Sequence, residues 1–149
     1  MQALGFGLSL KDASAYNVQF LRGRPVLIDT LSFENARPGP WAAYRQFCQH
    51  FYAPLLLTAG ADPRLPRLAQ VFIDGIPLAV ASRLLPVSSW LRAGPLMHVH
   101  LHARAEAALS RREAGSDRST GRHRSLTPLL ESLDRAIAGL RWEPRRQHR

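Results

Sequence analysis

The stretch LKDASAYNVQFLRGRPVLIDTLSFE, residues 10–34, constrains the fold more than any other. Val18-Gln19-Phe20-Leu21 has the character of a short strand, Arg22-Gly23-Arg24 that of a turn, and Pro25-Val26-Leu27-Ile28 that of a returning strand. An antiparallel hairpin closed at Gly23 brings its two ends side by side. Those ends are Asn17 and Asp29, and Asp12 stands one loop earlier. Three oxygen-bearing side chains able to bind a metal therefore converge. Two uses of them are open: acid/base and cation chemistry, or Asx-turn and capping hydrogen bonds that merely shape the loops.

Downstream, the pattern changes from strand to helix. Pro38-Gly39-Pro40 forces an exit from the sheet, and the strongest helical pattern follows. Trp41, Tyr44, Phe47, Cys48, Phe51, Tyr52 and Leu55 recur at spacings of three, four and seven, so one aromatic stripe faces a core. His50 falls off the stripe and is expected to be solvated. Pro54 should kink this helix or end its first section, because it has no N–H to donate and crowds the preceding turn. Asp62-Pro63 opens a further helix with Leu65, Leu68, Ala69, Phe72 and Ile73 on its apolar side, ending at Gly75. Pro77 opens another through Leu85, with Leu78, Ala81, Leu84 and Leu85 inward, and 87–95 reads as loop anchored by Trp90.

His98, His100 and His102 alternate as HVHLH. On a strand all three would share one face and form a candidate zinc or copper site. On a helix, alternate residues diverge by about 200° and the cluster dissolves. Residues 114–125, AGSDRSTGRHRS, read as a linker. The last helix starts at Thr127-Pro128 and carries Leu130, Leu133, Ile137 and Leu140, with a connector-like ending, RWEPRRQHR. The expected organisation is thus 1–113 as a hairpin plus helical region, 114–125 as linker, and 126–149 as a helix leading toward a further domain. The fold class is α+β: a short antiparallel hairpin followed by about five helices.

Charge and cysteine content narrow the function classes. The net charge is +9, with nine basic and five acidic side chains in 1–102 and eleven and six in 103–149. The arginine-rich tail admits a binding module as one reading. No nucleic-acid reader motif accompanies it, so nucleic acid is not an expected partner. The one cysteine, Cys48, excludes an internal disulfide or a multi-cysteine zinc site. No apolar run approaches the roughly 20 residues a bilayer span needs, and the N-terminus lacks the positive flank of a signal peptide. A cytoplasmic location and no membrane partner are the expectations.

The order Asp12, four residues, Asn17, then a hairpin ending in Asp29 resembles the C-terminal lobe of the protein-kinase and aminoglycoside-phosphotransferase superfamily. That resemblance implies Asp12 as catalytic base and Asn17 and Asp29 as Mg²⁺ ligands. The position two before Asp12 is Leu10 where the superfamily usually has His. Only eleven residues precede Asp12, and Lys11 is the sole lysine, so no glycine-rich loop or strand lysine stands upstream to grip ATP.

A second resemblance spans about Gly7 to Trp142. The segments KDASAYNVQF, RPVLIDTLSFE, PGPWAAYRQFCQHFYAPLLL, DGIPLAVASRLLP and HVHLHARA, in that order, resemble the region preceding the catalytic domain in a bacterial, nodulation-type family of SAM-dependent methyltransferases. It implies an accessory N-terminal region, truncated or separately encoded, whose partner is a methyltransferase domain in cis or in trans. SAM is the cofactor of the full-length family. No strand with a glycine-rich turn, helix and acidic residue is found in this chain, so no cofactor is expected here. The alternative reading is a Mg-dependent small-molecule phosphotransferase lobe.

Overall fold

The computed structural model describes residues 2–113 and 126–141. The linker reading of 114–125 and the connector reading of 142–149 lie outside the described residues. The fold is α+β, as the sequence predicts. A small β unit spans Leu8–Asn35, and the described residues from Tyr44 onward form a helical body.

The hairpin forms where expected. Strand β2 (Val18–Leu21) pairs antiparallel with β3 (Arg24–Leu27), with Val18 opposite Leu27 and Leu21 opposite Arg24. Its turn is tighter than the sequence reading, because Arg22 and Gly23 both adopt positive φ, 50° and 77°, and close a two-residue loop. Such a loop matches the strand twist and favours glycine. The returning strand consequently starts at Arg24, one residue earlier than predicted.

A second sheet escaped the sequence reading. After a helical turn, α1 (Gln2–Gly5), strand β1 (Leu8–Leu10) pairs antiparallel with β4 (Phe33–Asn35), Leu10 opposite Phe33. The outer pair encloses the inner hairpin in sequence. Lys11 N–H and Asp12 N–H both donate to the Ser32 carbonyl, continuing the outer pair inward.

The helical body starts with α2 (44–60), which contains a π-helical turn, Cys48–Tyr52, between two α segments. The predicted kink at Pro54 is resolved in this way. Pro54 cannot donate to the His50 carbonyl, and the ladder widens just before it, Ala53 N–H reaching the Cys48 carbonyl. The widened turn shifts the inward face by one residue. Leu55, expected in the stripe, is 43% exposed, whereas Ala53, Leu56 and Leu57 are buried. The released Gln49 carbonyl accepts from Ile76 N–H at 3.1 Å. Close approach there depends on Gly75, whose φ is +93° and whose hypothetical Cβ would lie 2.7 Å from Gln49 Cβ.

Where a full helix is predicted after Asp62-Pro63, the chain makes a 3₁₀ helix, Leu65–Gln70, preceded by a turn in which Asp62 accepts from Arg64 N–H and pairs with the Arg64 guanidinium. Ile73 is exposed rather than inward. Helix α3 (Leu78–Leu84) follows, with Leu78 and Ala81 buried and Leu84 turned out. The 87–95 segment is more ordered than the loop expected, forming a 3₁₀ helix, Val87–Leu91, and then the first turn of α4 (93–113). Helix α5 (Leu126–Ala138) folds back onto the body, where Leu133, Ala136, Ile137 and Leu140 join the core around Tyr52, Leu56, Leu57, Ile76 and Val99. Gly94 and Ala136 make that contact close: a Cβ on Gly94 would meet Ala136 Cβ at 2.9 Å.

Candidate functional site

The loop carrying Asp12 is fastened to α2 by one side chain. Gln46 Oε1 accepts from Ala13 N–H at 2.6 Å, and Gln46 Nε2 donates to Asp12 Oδ1 at 2.7 Å. The same Asp12 oxygen accepts from Ser14 N–H at 3.0 Å. That backbone bond, with further bonds from Gln46 and Asn17 and the nearby His50, holds the Asp12 carboxyl below the usual carboxylate range. Trp41 adds a second attachment, donating from Nε1 to the Leu10 carbonyl at 2.6 Å.

Asn17 and Asp29 come together through a residue the sequence reading did not single out. Asn17 Nδ2 donates to Ser32 Oγ at 2.9 Å, and Ser32 Oγ donates to Asp29 Oδ2 at 2.8 Å. The other Asp29 oxygen accepts from Leu31 N–H at 2.9 Å, capping the 3₁₀ turn Thr30–Ser32. Ser32 is buried. Asn17 and Asp29 are therefore joined through Ser32, with Asp12 near enough to Asn17 for that amide to help lower its pKa. The available signal for Ser32 was its position three residues after Asp29, the spacing at which a cap can be reciprocated. Among the described residues, no group of three or more His, Cys, Asp or Glu side chains is placed to hold a metal ion.

Asp12 faces an open cleft of about 400 Å³, lined by Asp12, Ser14, Tyr16, Gln46, His50, Ile73 and Asp74. A neighbouring cleft of about 570 Å³ shares Gln46, Ile73 and Asp74. His50, expected in solvent, lines the first cleft and meets Tyr16 edge-on at 6.2 Å. Burial lowers its pKa against the opposing pull of Asp12 and Asp74. A fixed, ionised carboxylate and an imidazole favoured in its neutral form thus share one concave surface, a pair able to accept and relay hydrogen bonds. His50 was hidden from the sequence because the π turn moves it toward Gly75.

The three alternating histidines lie on a helix, so the strand-like metal face does not form. His98 and His100 sit in a second π turn, Leu96–His100, and both are 0% exposed. His98 bonds Tyr44 Oη through Nδ1 at 2.7 Å and Ser132 Oγ through Nε2 at 3.0 Å. His100 bonds Ser82 Oγ and Ser89 Oγ, each at 2.7 Å, and stacks on Trp90 at 4.1 Å. His102 stacks on Tyr44 at 4.8 Å and reaches Glu106 at 3.3 Å, which also pairs with Arg45 at 2.9 Å. Burial lowers all three pKa values, that of His98 to about 4. Both ring nitrogens of His98 and His100 are committed to hydroxyls, which makes these rings fasteners between α2, α3, α4, α5 and the Val87–Leu91 turn. Cys48 is likewise internal, and burial pushes its thiol up to about 12.

Over 109 residues, 72% of this chain, the sequence is 36% identical to nodulation protein NoeA of Rhizobium meliloti (strain 1021). The chain is related to that protein over the matched stretch, which is 23% of the relative's length. No family model matches the chain. No solved structure matches it. Among the described residues, no helix is long and apolar enough to cross a membrane.

Proposed function

We propose that this chain is an accessory region of a nodulation-associated, SAM-dependent methyltransferase, cytoplasmic and acting with a catalytic domain in cis or in trans while holding no SAM itself. The observation that carries this reading is the use of Asp12, Asn17 and Asp29. Their polar atoms fasten the chain's own loops, through Ser14, Gln46, Ser32 and Leu31. A network spent on loop shape suits a scaffold better than a reaction centre. Similarity to about a quarter of a longer nodulation protein supports a role as one part of a larger assembly.

The second reading, a Mg-dependent phosphotransferase lobe with Asp12 as base and Asn17 and Asp29 on the metal, draws on the same convergence and on the cleft that Asp12 faces. Calorimetric titration separates the two. The accessory reading predicts no heat from SAM or Mg-ATP with this chain alone, together with stimulation of methyl transfer when the chain is added to the catalytic domain. Mg-ATP binding that vanishes in Asp29→Ala would instead establish the phosphotransferase lobe. Methyl transfer indifferent to the chain would overturn the accessory role.

A further inference from the structure

The β2–β3 hairpin is a projecting arm. Every residue from Gln19 to Val26 is exposed, including Phe20 at 74%, Leu21 at 65% and Val26 at 40%. A two-stranded ribbon with no covering layer is marginally stable in water, and exposed apolar side chains on such an edge mark an interaction surface. The pairing register sets Phe20 opposite Pro25 on one face, and Leu21 opposite Arg24 and Val26 opposite Gln19 on the other. Both faces of the ribbon are thus apolar in part. The turn carries Arg22 and Arg24, there is no carboxylate between Val18 and Ile28, and neither arginine joins an ion pair among the described residues.

These features select among occupants. A lipid surface would meet one face of a ribbon lying flat, or the tip of one inserted end-on, and a tip of two arginines resists entry into hydrocarbon. A second copy would bring another chain of net charge +9 against the basic tip. A protein groove that grips both faces and ends in carboxylates satisfies the apolar residues and the arginines at once. We propose that the arm inserts into an apolar, acid-rimmed groove on the SAM-binding catalytic domain, an inference that rests on the accessory reading above.

The test titrates the full chain with the part of nodulation protein NoeA outside the matched stretch, the relative's own matched stretch serving as a control. Wild-type chain is expected to bind. Phe20→Ser/Val26→Ser and, separately, Arg22→Glu/Arg24→Glu are expected to weaken binding by at least about tenfold, as loss of central anchors does, with melting temperatures unchanged. Binding that both variants retain would overturn the arm as docking element while leaving the accessory reading intact. No binding by wild type or control would overturn both. Binding to phosphatidylglycerol vesicles, or self-association in sedimentation, that the same variants abolish would assign the arm to a membrane or to a second copy and overturn the groove.

Discussion

The arm and the helical body are built from comparably apolar sequence and meet opposite fates. Within the arm, Phe20, Leu21 and Val26 stand in solvent, while in the body Leu56, Leu57, Ile76 and Leu78 are sealed. Local hydrophobicity does not decide this; an opposing surface does. The body supplies its own through α2, α3, α4 and α5, with two histidines completing hydrogen bonds that hydrophobic residues could not make. The arm has no facing layer within the described residues. The body closes on its own side chains and the arm leaves an apolar surface open, while Gln46 and Trp41 tie the segment that precedes the arm, Leu10 to Ala13, to the body.

The largest effect that sharpens this contrast lies in the body. His100→Ala removes a buried ring stacked on Trp90 and takes the partner from the Ser82 hydroxyl, while Ser89 keeps its bond to the Pro86 carbonyl, an expected loss of roughly 3–5 kcal/mol by urea denaturation. Acid tests the same fasteners without mutation. The His98 pKa falls from 6.5 to about 4 on folding, so the unfolded chain binds more protons between those values. Stability contributed by neutral His98 is full above pH 6.5 and is lost as pH falls toward 4, by about 3 kcal/mol, visible as a falling melting temperature. Gly75→Ala should cost about 2 kcal/mol or more, through its positive φ and the crowded Gln49 contact.

Smaller effects follow at the joint and on the arm. Gln46→Ala should cost about 1–2 kcal/mol and expose the Asp12 loop to proteolysis, since one side chain makes both bonds from α2 to it. Phe20→Ser should change the stability of the isolated chain by less than about 0.5 kcal/mol, the range of ordinary surface substitutions. A loss of several kcal/mol there would mean that the arm is buried in solution and would break the comparison.

Much of this organisation was legible in the residues, and the exceptions share a physical cause. The hairpin could be read because Arg22-Gly23-Arg24 between two apolar runs is a local turn signal, although the loop closes with two residues rather than three. Convergence of Asp12, Asn17 and Asp29 followed from it. The outer sheet could not be read, because strands of three residues offer too few alternations to register and their pairing spans the whole hairpin. The π turns were invisible as such: Pro54 announced a distortion, but whether it becomes a kink or a widened turn depends on Ile76 arriving to take the Gln49 carbonyl. From that one long-range bond come the errors at Leu55 and His50. Ser32 went unnoticed because its spacing of three from Asp29 gains meaning only when the hairpin brings Asn17 to the same hydroxyl.

The central claim, an ordered body presenting an arm for a catalytic partner, is tested most directly by hydrogen–deuterium exchange of the chain alone and with the remainder of the Rhizobium meliloti relative. The account predicts that amides of Val18–Leu27 exchange rapidly in the isolated chain and become protected when the partner is added, while those of 44–60 are protected throughout. Partner binding that protects the body's surface and leaves the arm exchanging at its free rate would contradict it.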